Sequence, residues 1–200
     1  MSDSIPALSE IEALRADIYQ VLASLLRQAP DAELLQWLAT LEVEQDGSRL
    51  AECWAALATA ARNSSPEALQ RDHFRHLVGV IQGEVVPYAS WYLNGELMEA
   101  ALVSLRRDLR LLGFERCAST HEPEDHLAAV CEVMAMLVAS QSLEQMYFFQ
   151  RHLTPWASQC FSDLAQVDSA FYMALGQLGG AFMESEQTGL SHQPVRLMEQ

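Results

Sequence analysis

The apolar residues of this chain recur at steps of three and four, a spacing that places them on one face of an α-helix. The first run consists of Leu8, Ile11, Leu14, Ile18, Leu22 and Leu25. Alternation with a period of two, which a half-buried strand requires, is scarce throughout the sequence. Leucine and alanine also heavily outnumber valine and isoleucine, the residues that strands favour. The pattern therefore predicts an all-α fold.

Capping residues and prolines divide this pattern into separate helices. Asp31, Ser48 and the pair Ser65-Pro66 stand where helix starts are expected. The later helices are predicted from about Asn94 to Leu112, from Glu122-Pro123 to about Ser140, from Leu143 to Leu153, from Thr154-Pro155 to Leu164 and from about Asp168 to Glu184. The stretch 79–90 contains two glycines and a proline and is predicted to be a loop.

Two of the predicted helices carry further expectations about packing. The fourth helix is expected to end near Gly79. It carries the apolar residues Leu69, Phe74, Leu77 and Val78. In the last helix, the small residues Gly176, Gly179 and Gly180 are expected to let another helix approach closely.

The length of the chain fits one ordinary domain, since it has 200 residues and half of them are hydrophobic. We expect a single-domain helical bundle over residues 1–184, followed by a polar, loose tail over 185–200. The polar connection near residues 115–122 is expected to act as a hinge.

The formal net charge is −15. A nucleic-acid binder needs a clustered basic surface, so this charge argues against a nucleic-acid partner. It also argues against stable membrane insertion, and no stretch approaches the roughly 18 uninterrupted apolar residues of a membrane span. A basic peptide is the partner that this charge favours, although many acidic proteins owe their charge to solubility alone.

The cysteines and the N-terminus indicate a cytoplasmic location. The four cysteines lie far apart in helical contexts, which suits buried thiols in a reducing compartment. They are Cys53, Cys117, Cys131 and Cys160. The first residues include Asp3, where a secretion signal carries basic residues.

Histidines and carboxylates cluster at two places in the sequence. His73 and His76 stand three apart on a predicted helix, without an obvious third metal ligand nearby. The segment 121–126 is richer, yet its proline and acids fit a helix start whose positive dipole end they oppose. No catalytic motif is recognisable, so we expect no enzyme activity, no metal and no cofactor. The alternatives are a helical metal- or ligand-binding protein that uses residues 121–126, and a structural subunit of a larger complex.

Three aromatic residues, Tyr88, Trp91 and Tyr92, lie within five positions at the end of the predicted loop. All three cannot readily pack inward from so short a segment. Trp and Tyr combine apolar area with a hydrogen-bonding tip, which peptide-binding grooves use. The segment therefore indicates either a peptide-binding site or plain core packing.

Four motifs, in order along the chain, resemble one protein family. Residues 122–127 match the pattern E-P-x-D-H-L of the TorD/DmsD chaperones, also called redox enzyme maturation proteins, and residues 152–156 match their H-L-x-P-W. Residues 87–92 resemble their proline–aromatic–small–serine–x–aromatic loop, and residues 72–79 resemble the aromatic segment that precedes it. The resemblance extends over roughly residues 8–184.

This resemblance implies an all-α, cytoplasmic chaperone for molybdopterin enzymes that are exported by the twin-arginine pathway. Members bind the enzyme's twin-arginine leader and hold export back until the cofactor is inserted; some also bind the apoenzyme. A monomer or a domain-swapped homodimer is therefore expected. Leaders of formate dehydrogenases, trimethylamine-oxide reductases and dimethyl-sulfoxide reductases all remain open as clients, and the loop at residues 83–90 favours a formate dehydrogenase.

Carried over residue by residue, the resemblance implies a signal-peptide-binding site. Its members are Tyr19, Phe74, Leu77, Pro87, Tyr88, Ser90, Tyr92, Asp125 and His126. The aromatic and aliphatic members are expected to form a trough for the apolar stretch of the leader. Asp125, with Glu122 or Glu124 nearby, is expected to accept a leader guanidinium, and His126 to position Asp125 or close the polar end. Val78 departs from the family, in which phenylalanine is common at this place.

Overall fold

The computed structural model describes residues 8–44, 46–115 and 122–190. Over these ranges the chain forms ten α-helices, numbered α1 to α10, and one π-helical turn, Phe74–Val78, that continues α4. The α-helices are α1 Glu10–Arg27, α2 Ala32–Thr40, α3 Arg49–Arg62, α4 Pro66–His73, α5 Ala89–Asn94, α6 Ala100–Leu111, α7 Leu127–Ala139, α8 Gln145–His152, α9 Ala157–Leu164 and α10 Ala170–Leu190. The described residues contain no strand, and the prediction of an all-α fold is confirmed.

Two helices, α7 and α10, form the centre of the bundle. α1 packs along α7, α3 and α9 pack on α10, and α2 packs on α3. α7 is apolar around almost its whole circumference, as a helix in the interior must be. Cys53, Cys131 and Cys160 are buried free thiols, whereas Cys117 lies outside the described residues. None of the helices described here is long and apolar enough to cross a membrane.

Side-chain caps fix the beginnings of the first four helices. Asp31, Ser48 and Ser65 each accept a hydrogen bond from the backbone N–H three residues further on. α1 begins with a reciprocal capping box between Ser9 and Glu12. The helix starts predicted at Asp31, Ser48 and Ser65 are thus confirmed, and each such cap stabilises its helix by about 1 kcal/mol.

The buried face of α1 is shorter than its apolar spacing indicates. Ile18, Leu22 and Leu25 are buried, but Ile11 is 74% exposed and Leu14 is 60% exposed. The predicted apolar face is present, but only its C-terminal part is covered by other helices. Helical spacing identifies an apolar stripe, but it contains no information about how far the neighbouring helices extend along it.

The end of α4 also differs from the prediction. In place of an α-helix up to Gly79, a π-turn is closed by the hydrogen bond from the Gly79 N–H to the Phe74 carbonyl, at 2.6 Å. A π-turn holds more residues than an α-turn, so it changes the direction in which the side chains point. Phe74 and Val78 are therefore half exposed, while Leu77 is buried.

A closed loop follows the π-turn and carries two apolar side chains that are almost fully exposed to solvent. Val80 is 94% exposed and Ile81 is 97% exposed, and we call this pair the apolar tip. The backbone closes tightly behind it, because a Cβ atom on Gly79 would collide with the carbonyl of Gln82. Gly79 also adopts a φ of +66°, which disfavours any other residue there.

The starts of two helices, α5 and α6, differ from the prediction. The short helix α5 occupies part of the predicted loop, and Gly95, with a φ of +81°, ends it. α6 begins at Ala100 rather than at Asn94, although the Asn94 side chain does accept a hydrogen bond from the Ala101 N–H at 3.2 Å. The N-cap of α6 is Glu99, and Asn94 is the last residue of α5, so the prediction of Asn94 as the cap is wrong.

The two later proline signals also precede their helices instead of opening them. α7 begins at Leu127, several residues after Pro123, and is capped by His126. α9 begins at Ala157, not at Thr154-Pro155. Proline with an acidic or hydroxyl neighbour is also typical of turns, so the sequence signal alone does not separate the two structures.

The last helix is longer than predicted. α10 extends to Leu190 rather than ending at Glu184, and both Glu186 and Leu190 are buried. The first part of the predicted loose tail is therefore a packed helix. Residues 191–200 and most of the predicted hinge, 116–121, lie outside the described residues. The division at residue 184 and the hinge itself stay predictions.

The glycines of α10 confirm part of the expected close approach. A Cβ on Gly176 would collide with the backbone of α9, including the Phe161 carbonyl oxygen at 2.7 Å, and one on Gly179 would collide with the Phe161 ring. Gly180 differs, because a Cβ there meets nothing within 4 Å. Only the first two glycines are required by the packing of α9 on α10.

This difference gives a matched pair of substitutions. Gly180→Ala is expected to raise the free energy of unfolding by about 0.5–1 kcal/mol, because alanine favours the helix. Gly176→Ala makes the same chemical change but is expected to lower it by about 1–3 kcal/mol, because rigid backbone has to move. Denaturant titration measures both; equal effects would contradict the packing of α9 on α10.

Candidate functional site

Two of the sequence motifs meet through their backbones. The Leu127 N–H donates to the Pro87 carbonyl at 2.8 Å, and the Ala89 N–H donates to the Asp125 carbonyl at 2.9 Å. Between these bonds, residues 88 and 126 form an antiparallel bridge. Segments that are more than thirty residues apart are thereby held side by side, and every side chain between them has a fixed position.

Asp125 lies beneath this bridge and is fully buried. Its Oδ2 atom accepts hydrogen bonds from the Ser90 N–H at 2.9 Å and from the Ser90 hydroxyl at 2.6 Å. Its Oδ1 atom has no hydrogen-bond partner among the described residues. Because the carboxylate is buried, a leader arginine does not reach it in this arrangement, and the predicted direct contact stays a prediction. The carboxylate instead fixes the start of α5.

The Ser90 hydroxyl also supports a strained residue. It accepts a hydrogen bond from the Met98 N–H at 3.2 Å, and Met98 adopts a φ of +63°, a conformation that residues other than glycine rarely take. Such strain costs on the order of 1–3 kcal/mol and persists only where the surroundings hold it. Ser90 therefore connects Asp125 to the turn between α5 and α6.

Tyr88 lies half-buried on the outer side of the bridge. Its hydroxyl donates to Glu122 Oε1 at 2.8 Å, and its ring stands edge-on to the His126 ring, with centroids 4.9 Å apart. Burial raises the pKa of Tyr88, and the hydrogen bond to Glu122 raises it further. The tyrosine is thus a fixed, uncharged anchor beside a carboxylate.

His126 serves as the N-cap of α7. Its Nδ1 atom accepts a hydrogen bond from the Ala128 N–H at 3.1 Å, and its Nε2 atom lies 3.9 Å from Glu122 Oε1. Burial lowers the pKa of His126 to about 4. The ring is neutral near pH 7, and its position one residue before the helix is explained by capping.

The other predicted site residues lie elsewhere. Tyr19 is fully buried and donates to Glu186 Oε2 at 3.0 Å. Tyr92 donates to Asp163 Oδ2 at 2.7 Å and packs on Trp156, so it is directed at α9. The structure therefore joins five of the nine predicted residues. These are Pro87, Tyr88, Ser90, Asp125 and His126.

The family's fourth motif, at residues 152–156, has a structural explanation. His152 Nε2 lies 2.8 Å from Oδ2 of the fully buried Asp108 on α6. The Trp156 indole N–H donates to the His152 carbonyl at 2.7 Å. This segment attaches α6 to α8 and α9, and it contributes no open surface to the site.

A large groove opens next to Glu122, with a volume of about 810 Å³. It lies between α1, α6 and α7, and its wall combines charged with apolar side chains. The charged residues are Arg27, Arg106, Arg110, Glu115, Glu122, Glu124 and Glu132, and the apolar residues are Leu109, Phe114, Pro123, Ala129, Val133 and Met136. Sequence reasoning missed all of them except Glu122, Glu124 and Pro123, because the groove assembles from distant segments that carry no shared motif.

The histidine clusters do not form a metal site in the described part of the chain. No three histidine, cysteine or acidic side chains there are placed to hold a metal ion. His73 Nε2 lies 3.2 Å from the Leu26 carbonyl oxygen, and His76 Nδ1 lies 2.8 Å from Glu84 Oε2. His121 is outside the described residues. The alternative of a metal-binding protein gains no support.

Comparison with known proteins places this fold and site in a class. The family model described as nitrate reductase delta subunit matches residues 44–162. Chaperone protein TorD of Shewanella piezotolerans is 26% identical, over 92% of this chain and 95% of that protein. Tat proofreading chaperone DmsD of Salmonella typhimurium is 30% identical, over 80% of this chain and 82% of that protein.

A solved structure shares the fold. A protein from Archaeoglobus fulgidus described as a redox enzyme maturation protein superposes with a TM-score of 0.60 at 15% identity, over 92% of this chain and 99% of that one. The fold, together with the similarity to these relatives, thus defines a class of helical chaperones. The chain belongs to the nitrate reductase delta subunit family, which includes the TorD and DmsD chaperones. The resemblance read from the four motifs is confirmed.

The buried histidine makes stability depend on pH in a definite direction. Because the pKa of His126 is about 4 in the folded chain and near 6.5 when unfolded, the unfolded chain binds the proton more tightly. Glu122 and Asp125 oppose this shift, while Arg27 and His73 add to it. The free energy of unfolding should therefore fall as the pH drops through that window, by up to about 3 kcal/mol.

His126→Asn separates this effect from capping. Asparagine is a good N-cap and does not titrate, so the variant should keep most of its stability at neutral pH. Its free energy of unfolding should change less between neutral and mildly acid pH than that of the wild type. Urea titrations at several pH values measure this, and identical pH profiles would show that His126 is not the titrating group.

Proposed function

We propose that this chain is a system-specific chaperone that binds the twin-arginine leader of a molybdopterin oxidoreductase. It holds the apoenzyme for cofactor insertion before export by the twin-arginine pathway. Membership of the TorD and DmsD family supports this role, and the relatives' names as chaperones support the prediction that the chain is not an enzyme. The observation that carries the proposal is the Tyr88–Glu122 pair at the edge of the large groove.

The chemistry of such a leader fits this place. A twin-arginine leader has a basic head and an apolar stretch of about 7–15 residues. The groove offers carboxylates for the head and apolar side chains for the stretch. A half-buried tyrosine at its edge supplies a large contact area together with a fixed carboxylate. The net charge of −15 speeds the encounter with a basic peptide.

Asp125 acts in this proposal as a positioning residue rather than as a contact. Through Ser90 it fixes the segment that carries Tyr88, and its burial keeps it away from the peptide. Glu122 and Glu124, which are only partly buried, are the acids that a leader arginine can reach. Glu122 and Glu124, which the sequence analysis named beside Asp125, are therefore the better candidates for the polar end of the site.

The client and the setting are further parts of the proposal. A leader has to be bound before export, so the chaperone works in the cytoplasm. The client is a formate dehydrogenase, or a trimethylamine-oxide or dimethyl-sulfoxide reductase, and the chaperone acts as a monomer or as a domain-swapped homodimer. Calorimetry with one synthetic leader from each enzyme class selects among the clients, and sedimentation measures the oligomeric state.

Tyr88 tests the hydrophobic part of the proposed site. Tyr88→Ala is expected to weaken leader binding by about 2 kcal/mol, because it removes a large aromatic contact. Tyr88→Phe keeps the ring and should retain most of the affinity. Tyr147→Ala, at a partly buried tyrosine on α8, is the control and should leave binding unchanged. If a folded Tyr88→Ala protein binds the leader with unchanged affinity, Tyr88 does not contact the leader and serves core packing instead.

Asp125→Asn tests whether Asp125 positions the site while Glu122 and Glu124 contact the leader. The variant weakens two hydrogen bonds to a buried carboxylate and is expected to lower the free energy of unfolding by about 2 kcal/mol. Because Asp125 does not touch the leader, the dependence of the affinity on salt concentration should match that of the wild type. A flatter salt dependence would mean that a leader arginine does contact Asp125 after a rearrangement.

A further inference from the structure

Arg27 on α1 already occupies two of the acids that line the groove. Its guanidinium donates to both oxygens of Glu132 on α7, at 3.0 and 2.8 Å, and to Glu122 Oε2 at 3.4 Å. Glu122 is the same residue that accepts the Tyr88 hydroxyl with its other oxygen. A guanidinium therefore lies directly beside the tyrosine anchor.

Arg106 on α6 occupies a third acid. Its Nε and Nη2 atoms both donate to Glu124 Oε2, at 3.0 and 2.8 Å. The side chains of Arg27 and Arg106 keep 30% and 39% of their exposure, so solvent reaches both pairs. Both arginines line the same groove, together with apolar residues such as Leu109 and Met136.

This arrangement shows what the groove accepts. Its carboxylates are placed for the planar, forked geometry of a guanidinium, which an ammonium group does not reproduce. A twin-arginine leader is defined by two consecutive arginines, and this groove is lined by two arginines that are already paired with its acids. The groove thus contains, within the chain itself, two groups of the same chemistry as the head of the proposed ligand.

We propose that Arg27 and Arg106 act as internal competitors: a twin-arginine leader binds this groove by displacing them from Glu122, Glu132 and Glu124. The inference rests on the proposed function and adds the regulation of its site. Without a leader, the two arginines neutralise acids that would otherwise repel one another. With a leader, one guanidinium replaces another, and the apolar wall receives the hydrophobic stretch.

The exchange predicts a moderate affinity for the leader. Replacing one partly exposed ion pair by an equivalent one yields little free energy, since such pairs contribute little each. The gain comes mainly from the apolar stretch, while the arginines decide which peptides fit. A leader that is held in this way is released readily when the enzyme passes to the export machinery, because Arg27 and Arg106 return to their acids.

The test uses the full chain and two synthetic peptides. One peptide carries an Arg-Arg pair followed by an apolar stretch, and the other carries Gln-Gln in place of the pair. Arg27→Gln and Arg106→Gln remove the competitors but leave the acids, so each should tighten binding of the Arg-Arg peptide about threefold to fivefold. Neither variant should tighten binding of the Gln-Gln peptide.

Arg49→Gln is the matched control. Arg49 donates to Glu184 at 2.7 Å in an exposed pair between α3 and α10, and it does not line the groove. Its removal changes the net charge by the same amount and should leave the affinity for the Arg-Arg peptide unchanged within error. Equal tightening in all three variants would assign the effect to overall charge and overturn the inference.

The remaining outcomes separate this inference from the proposed function. Suppose that the wild type binds the Arg-Arg peptide and that Arg27→Gln and Arg106→Gln bind it equally well or more weakly. The hypothesis of internal competition is then wrong, and the proposed chaperone function stands. Equal tightening towards the Gln-Gln peptide would mean that the groove merely opens, which also overturns the competition. If neither peptide nor any of the three enzyme leaders binds any of the proteins, the proposed function itself is wrong.

Discussion

The candidate site depends on one short piece of backbone pairing. Two hydrogen bonds join residues 87–89 to residues 125–127, and beneath them Ser90 donates twice to the buried Asp125. A buried carboxylate is tolerable only when it is well bonded, so this contact favours a single arrangement of the two segments. The edge-on rings of Tyr88 and His126, the cap of α7 and the strained turn at Met98 all depend on that arrangement.

Much of the fold could be predicted from the sequence, because helix positions depend largely on the spacing of apolar residues and on capping residues. Apolar spacing and caps located α1 to α4 and the cores of α7 to α10 correctly. The errors lie where a particular backbone contact decides the outcome. The π-turn that exposes Phe74 is closed by a hydrogen bond from Gly79, five residues further on, and α7 starts at Leu127 because residue 126 is held against residue 88. Apolar spacing contains neither of these constraints.

The candidate site was predictable only in part, and for a related reason. Motif resemblance selected Tyr88, Asp125 and His126, and the structure does bring them together. It did not distinguish a buried acid from a reachable one, since Asp125 and Glu122 look alike in sequence. The roles of Arg27 and Arg106 could not be predicted, because the sequence does not show which distant acid an arginine pairs with.

The apolar tip has a consequence for the behaviour of the molecule in solution. Val80 and Ile81 are exposed at the end of a loop whose backbone closes tightly behind them at Gly79. Exposed apolar groups of this kind promote contact between copies of a protein. A net charge of −15 opposes such contact by repulsion, and dissolved salt weakens that repulsion over distances of about 10 Å. The tendency of the chain to self-associate therefore depends on two opposing effects, attraction at the apolar tip and repulsion between negatively charged copies. Ionic strength decides which of the two is stronger.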